Sequence, residues 1–259
     1  MVTATSEHPV LFSTPMSAAI RANRKTQTRR LVRVWKTEPR LICDVQFNPD
    51  PRWGWGATVQ QDYGTKRISF RDLRCPFGEV GSLLWVREAW AVPDHWDSGA
   101  TSGGTGRVPR GYAGPIYWRT DGEDQPGRGR WRPGIHLPRV LARTLLRVTA
   151  VRAERLHDIT EADAQAEGVT RLFSQDECRR VVGLVGSRPE DHGWTNYLWH
   201  GHVGRTITAT QANAWPYQFS SYLTARESFS SLWESINGAR AAWATNPWVF
   251  VVGFERVPR

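Results

Sequence analysis

Apolar residues fall along this chain in short runs whose period changes from one segment to the next, and those changes mark out the elements. Val10-Leu11-Phe12 is an apolar run of strand character. Met16, Ala19 and Ile20 then recur at i, i+3 and i+4, the spacing of a short amphipathic helix. Thr14 is a good N-cap for it, and Pro15 fits the first helical position, where a missing N–H costs nothing. Asn23 falls at its end, and Asn is second only to Gly as a left-handed cap. Leu83 to Arg87 has the composition of a strand. Its alternation puts Leu84 and Val86 on one face and Leu83, Trp85 and Arg87 on the other. Residues 115–118 form a short strand, and 137–156 carry the strongest β signal, with Leu145, Val148 and Val151 in a basic run that holds Arg143, Arg147 and Arg152. Thr160 with Asp163 resembles a capping box, and Gly168 stops that helix at C′. Residues 226–236 read as a helix with Phe229, Leu232, Trp233 and Ile236 on one face, ended by Asn237-Gly238. Residues 247–254 close the chain with a nearly all-apolar strand, the mark of a central one.

The segments between these runs are of a different kind. Residues 1–8 read as a loose tail. Residues 36–70, with Pro49, Asp50, Pro51 and the WGWG run at 53–56, read as a hairpin or an extended insertion. Residues 93–112 are rich in Gly, Ser, Thr and Pro and poor in apolar residues, DGEDQPGRGR at 121–130 is a loop, and 171–225 form a second irregular region. Insertions are therefore expected at 36–70, 93–134 and 171–225 of a single domain spanning 1–259. The element order points to an α+β protein, and a small mixed barrel with helices over its ends fits it.

Composition narrows the partners. The formal net charge is +9, which favours an acidic partner such as nucleic acid, although a basic surface alone is not a site. Fourteen Trp residues either pack cores and anchor loops or offer stacking platforms for bases. Cys43, Cys75 and Cys178 are odd in number and irregular in spacing, so free thiols in a reducing cytoplasm are expected. The chain carries no long apolar run and no signal-peptide pattern, so neither a membrane span nor secretion is expected. His192, His200 and His202, with Cys178 upstream, are a weak metal signal, and no metal is assigned. Without a phosphate-binding P-loop or a flanked dinucleotide fingerprint, no cofactor is expected either.

The stretch Arg24-Lys25-Thr26-Gln27-Thr28-Arg29-Arg30 follows the first helix, and a tight turn that presents Lys and Arg at a strand edge can hold an anion or a nucleobase. Lys25 and Thr28 would face opposite sides of a regular strand, so they converge only if the turn after Ala22 is irregular. Glu167 sits at a helix C-terminus, where the dipole disfavours a negative charge by roughly 0.3–1 kcal/mol. Such a residue is either a surface Glu tolerating the penalty or a group paired with a cation or used in function. Arg30, Arg87 and Glu88 are further candidates, with a buried Arg–Glu pair between neighbouring strands as the structural alternative. Trp85, Trp90, Trp118 and Trp131 either wall a pocket or pack a core.

Lys25, Thr28 and Arg30 fit the G-x-K-x-x-[E/T]-x-R signature of the ASCH domain, a branch of the PUA-like superfamily. The chain resembles uncharacterised phage and prophage members of it in five blocks: LFSTPMSAAIRANRKTQTRR, CPFGEVGSLLWVREAW, the stretch from Trp131 to Val169, FSSLWESING and NPWVFVVGFERV. Asn23 stands where the family usually has Gly, a mild change because Asn tolerates the same backbone. The resemblance implies a PUA-like mixed β-barrel with flanking helices and long loops. It implies recognition of nucleic acid, or of a modified base or nucleoside, in host cytoplasm if the gene is a phage's. Arg24, Arg30, Trp85, Arg87 and Glu88 would contact the ligand. More distantly, the chain is similar to small bacterial proteins that hydrolyse N4-acetylcytidine, and in that light Lys25, Thr28 and Glu167 would be catalytic. A desolvated Lys amine would activate Thr28, with Glu167 holding the Lys or handling the leaving-group proton. A phage assembly or host-interaction protein using the barrel only as a scaffold is the third expectation.

Overall fold

The computed structural model describes residues 6–34, 41–48, 54–61, 64–98, 112, 114–171, 194–195 and 224–258. In chain order the elements are β1 (Glu7–Leu11), α1 (Thr14–Arg21), β2 (Gln27–Leu31), β3 (Ile42–Asn48), β4 (Gly54–Gln61), β5 (Gly64–Leu73), β6 (Leu83–Arg87) and β7 (Trp90–Ala91). There follow α2 (Asp94–Ser98), β8 (Tyr117–Trp118), β9 (Leu145–Arg155), α3 (Glu161–Ala166), β10 (Thr170–Arg171), β11 (Trp194–Thr195), α4 (Ala225–Asn237) and β12 (Trp248–Val257). The class is mixed α+β. His192, His200, His202 and Cys178, and most of the 93–112 and 171–225 stretches, lie outside the described residues.

A five-stranded sheet with the order β1-β6-β9-β12-β2 organises the molecule. Only β1 and β6 run parallel; the remaining neighbours are antiparallel. The near-continuous apolar run of β12 is explained by its place: it is paired on both edges and covered on both faces, and Val249 through Val252 are fully buried. Helix α1 carries the chain from one edge of the sheet to the other. Backbone pairing does not join β1 to β2, yet Arg30 on β2 donates from Nη2 to the Leu11 carbonyl at 2.7 Å, so a side chain ties the two edges.

Each face of the sheet has its own core. On the inner face Val10, Phe12, Leu84, Val86, Leu146, Val148, Phe250, Val252 and Phe254 form one cluster. The stretch read as a hairpin or insertion is a three-stranded antiparallel sheet, β3-β4-β5. It contributes Ile42, Val45, Ala57, Val59 and Leu73 to the same cluster, and Trp55 meets Phe250 edge-on at 5.2 Å. The outer face, with Val249 and Val251, is covered by α3 and α4. Beyond β6, Trp85, Trp90, Val92, Trp118, Leu137 and Ala142 make a third cluster.

Local rules account for most helix ends. Thr160 and Asp163 form the capping box expected of α3, and Thr224 with Glu227 does the same for α4. Asn23 and Gly168 adopt the left-handed conformation, with φ of 55° and 92°. Helix α1 differs by one residue: its N-cap is Ser13, with no side-chain cap bond, and Pro15 lies in the first turn, where N–H groups have no intrahelical partner anyway. Ile236 also departs from expectation. Phe229, Leu232 and Trp233 are buried, but Ile236 is 53 % exposed. It lies in the last turn, beyond the point where Trp233 closes the contact by donating its indole N–H to Ala241 at 2.8 Å. Among the described residues no helix is long and apolar enough to cross a membrane.

Phe250 therefore anchors two sheets and Ile236 anchors nothing. Phe250→Ala is expected to lower stability by about 3–5 kcal/mol and Ile236→Ala by no more than about 0.5 kcal/mol, both read from urea denaturation midpoints.

Candidate functional site

The turn after α1 creates the site. Asn23 reverses the chain, and the Arg24 and Lys25 N–H groups both donate to the Ala19 carbonyl, at 2.8 and 3.2 Å. The Thr26 N–H then donates to Ala166 at 2.9 Å, docking this turn on the end of α3. Lys25 is thereby buried, and its Nζ donates to the Glu167 carboxylate at 2.6 Å and to the Glu167 main-chain carbonyl at 2.8 Å. One ammonium neutralises the carboxylate and also satisfies a carbonyl that the helix end leaves open. The unfavourable place of Glu167 at a helix C-terminus is thus offset by a cation.

Burial pushes the Lys25 ammonium below the usual lysine range, and the Glu167 charge and hydrogen bond pull it part of the way back. Glu167 also faces Arg29, whose Nη1 lies 3.4 Å from Oε1. Arg29 is fully buried and pairs in addition with Glu154 at 2.6 Å and Asp163 at 3.2 Å. Arg152 contacts the same two acids, at 2.7 and 3.1 Å. Gln27 donates to the Asp163 carboxylate at 3.0 Å. Gln27 and Arg29 alternate along β2 and so share the outer face, toward α3.

Thr28 and Arg30 take the other face. They pair with Val252 and Phe250, both inner-core residues. Thr28 is buried there, and no hydrogen bond joins its hydroxyl to Lys25 or Glu167 among the described residues. The Arg30 guanidinium stacks near Phe12 at 5.3 Å and Phe77 at 5.8 Å, and the Lys25 Nζ lies 5.6 Å from the same Phe12 ring. Burial lowers the Arg30 pKa from its ordinary value. The structure thus brings Lys25 onto Glu167 and sets Arg30 near them across Phe12.

The remaining expected contacts lie elsewhere. Arg24 is exposed. Trp85 belongs to the third core cluster and carries the Arg87 guanidinium on its face at 4.6 Å. Glu88 is buried, but its cationic partner is Arg143 rather than its neighbour Arg87. Arg143 donates to it at 3.1 and 3.4 Å, Thr120 at 2.8 Å and Thr144 at 3.0 Å. Trp118 lies under Arg143 at 4.5 Å.

A cavity of about 630 Å³ opens beside these groups. Lys25 and Thr26 form one wall, Arg143, Thr144 and Leu146 another, and the end of β12 from Phe254 to Pro258 a third. Of the eight residues expected in a site, Lys25 is the one that lines the cavity. Glu167 stands behind Lys25, and Glu88 behind Arg143 and Thr144. The sequence marks Asp163 only as a capping partner and Arg143 only as one of a basic run, and it gives Arg29 no role of its own. No local signal says that the end of α3 would present Asp163 and Glu167 to Arg29. Comparison of the chain with family models, with curated proteins and with solved structures finds no match.

Two outcomes follow from the buried charges. Glu167→Gln leaves Lys25 buried without its carboxylate, and a loss of about 3–5 kcal/mol is expected by chemical denaturation. For Asp163, partial burial pushes the carboxyl up, but hydrogen bonds from Gln27 and Thr160 and the Arg29 charge outweigh it and hold the pKa at about 2, against an ordinary 3.8. A depressed carboxyl stabilises fully above its unfolded value and loses that contribution as pH falls through its folded value. Wild-type stability should therefore drop between about pH 4 and pH 2, and Asp163→Asn should be less stable at neutral pH and flatter in that window.

Proposed function

We propose that the chain is an ASCH-type, PUA-like module that binds a modified nucleobase, carried on a nucleoside or a nucleic-acid strand, in the cavity walled by Lys25. The observation that carries this reading is the place of Lys25, whose buried amine is held by Glu167, among the residues that line a cavity of about 630 Å³, large enough for a nucleoside. The five-strand order, with its edges tied through Arg30 and Leu11, supports barrel-like curvature of the sheet. Thr26 brings an exposed side chain to the lining, and the Lys25 charge stands behind it. The formal charge of +9 favours approach of a polyanion.

Hydrolysis of an N4-acylated cytosine is the second reading, and the lowered pKa of the Lys25 amine favours it. In that reaction the Thr28 hydroxyl attacks the acyl carbonyl, its proton passes to the Lys25 amine and on to the departing N4, and water then releases the acyl group from Thr28. Thr28 faces the inner core without a bond to Lys25, so the two must approach each other when substrate binds. Binding without turnover requires no such movement and is the reading placed first.

Thr26 is exposed, lines the cavity and engages α3 through its backbone, so Thr26→Trp fills the space without removing the buried charges. Wild-type protein is expected to bind single-stranded oligonucleotides by fluorescence anisotropy, with log K falling by roughly 0.7 per decade of salt for each phosphate neutralised, and Thr26→Trp to bind at least about tenfold more weakly. Acetate release from N4-acetylcytidine by wild type and its loss in Thr28→Ala would move the second reading to first. Absence of any binding at low salt, with no acetate released, would sink both.

A further inference from the structure

Besides Lys25, three arginines line the cavity: Arg21, Arg143 and Arg256. We infer that together they form a wall that recognises phosphate. The inference rests on the base-binding reading above and sets its substrate class as a nucleotide or a phosphodiester strand in preference to a free nucleoside.

The three arginines come from three separate elements, the last residue of α1, the approach to β9 and the end of β12, and all three line the cavity. Arg256 stands opposite Leu146 in the β9–β12 ladder, and Phe254 stands opposite Val148. Phe254 and Arg256 are two residues apart on one strand and so share the inner face. That face gives the cavity an apolar floor of Ile20, Leu146 and Phe254 beside the basic wall. Arg256 also donates to the Arg21 carbonyl at 3.0 Å, which ties the strand end to the helix end.

Arg143 is fixed from behind. Its Nη1 and Nη2 donate to the Asp121 carboxylate at 2.7 and 2.9 Å, while Nε and Nη2 engage Glu88. Asp121 accepts from Arg21 as well. Asp121 is not part of the cavity lining, so it brings two guanidinium groups together from outside the wall. Glu255, the acid among the described lining residues, faces Arg147 across the ladder, on the side of β12 opposite to Arg256.

Planar guanidinium groups match the oxygen geometry of phosphate and keep their charge at any working pH. An apolar floor next to a basic wall is the layout of a base next to its 5′-phosphate. Asp121 and Glu88 supply two negative charges against the three arginines, and a phosphate adds the remaining counter-charge and oxygen acceptors.

The test is calorimetric titration of the full chain with cytidine, cytidine 5′-monophosphate and inorganic phosphate, for wild type, Arg21→Gln and Arg256→Gln. Wild type is expected to bind the monophosphate about tenfold more tightly than cytidine. Either substitution should lower that ratio severalfold, and added salt should narrow it. If the monophosphate and inorganic phosphate bind while cytidine does not, and the substitutions weaken both, the phosphate wall stands and the base-binding reading falls. Equal affinity for cytidine and its monophosphate in all three proteins overturns the phosphate wall and leaves the base-binding reading in place. No binding of the monophosphate or of inorganic phosphate overturns the phosphate wall.

Discussion

The interaction on which the rest depends is the pairing of Lys25 with Glu167 out of water. Isolated charges are costly to bury, and the cost is recovered only when partners and hydrogen bonds are all in place. Three pieces of chain must therefore be correct together: the left-handed Asn23 that turns Lys25 inward, the C-terminal end of α3 that offers both a carboxylate and a carbonyl, and β2, whose Arg29 takes the other carboxylate oxygen. Glu154, Asp163 and Arg152 extend this requirement across the outer face of the sheet. The network fixes where α3 sits on β2 and β12, and the apolar contacts of Val249 and Val251 then pack beneath it.

Strand β2 divides the chemistry by alternation. Gln27 and Arg29 serve the charged outer network, while Thr28 and Arg30 face the inner core. A shift of one residue in the β2–β12 register would exchange the two sets and drive Arg29 into Phe250 and Val252. Apolar burial on the inner face and ion pairing on the outer face specify the same register. Such agreement between independent terms separates one native arrangement from its near alternatives.

How much of this the amino-acid sequence displays depends on the distance over which each feature is set. Local features are legible: the capping box of Thr160 and Asp163, the left-handed Asn23 and Gly168, the split of Leu84 and Val86 from Trp85, and the central place of β12 all follow from neighbours within a few residues. The pairing of Lys25 with Glu167 is legible only through family resemblance and the odd placement of an acid at a helix end. Glu88 was recognisable as an acid in need of a partner, but the choice of Arg143 over Arg87 depends on how β6 meets the segment entering β9, which no local pattern contains. The 36–70 stretch reads as a hairpin or an insertion, but its third strand and its place in the core are not legible, because Ile42, Val45, Ala57 and Val59 make sense only once the inner face they cover is known.

The strand order also bears on how the protein is made. The edge strand β2, complete by residue 31, has its backbone neighbour among the described residues in β12, which begins at residue 248. During synthesis β2 must wait, with its charged and apolar faces both unmatched, until the residues from 248 onward have left the ribosome. Contacts so distant along the sequence form slowly and expose the waiting segment to aggregation and to chaperones. A nascent chain stalled before residue 248 would hold β1 and β6 together yet lack the strand against which the Lys25 turn is laid. The cavity lined by Lys25 thus appears only after β12, and truncation before residue 248 would remove it as surely as any change at Lys25 itself.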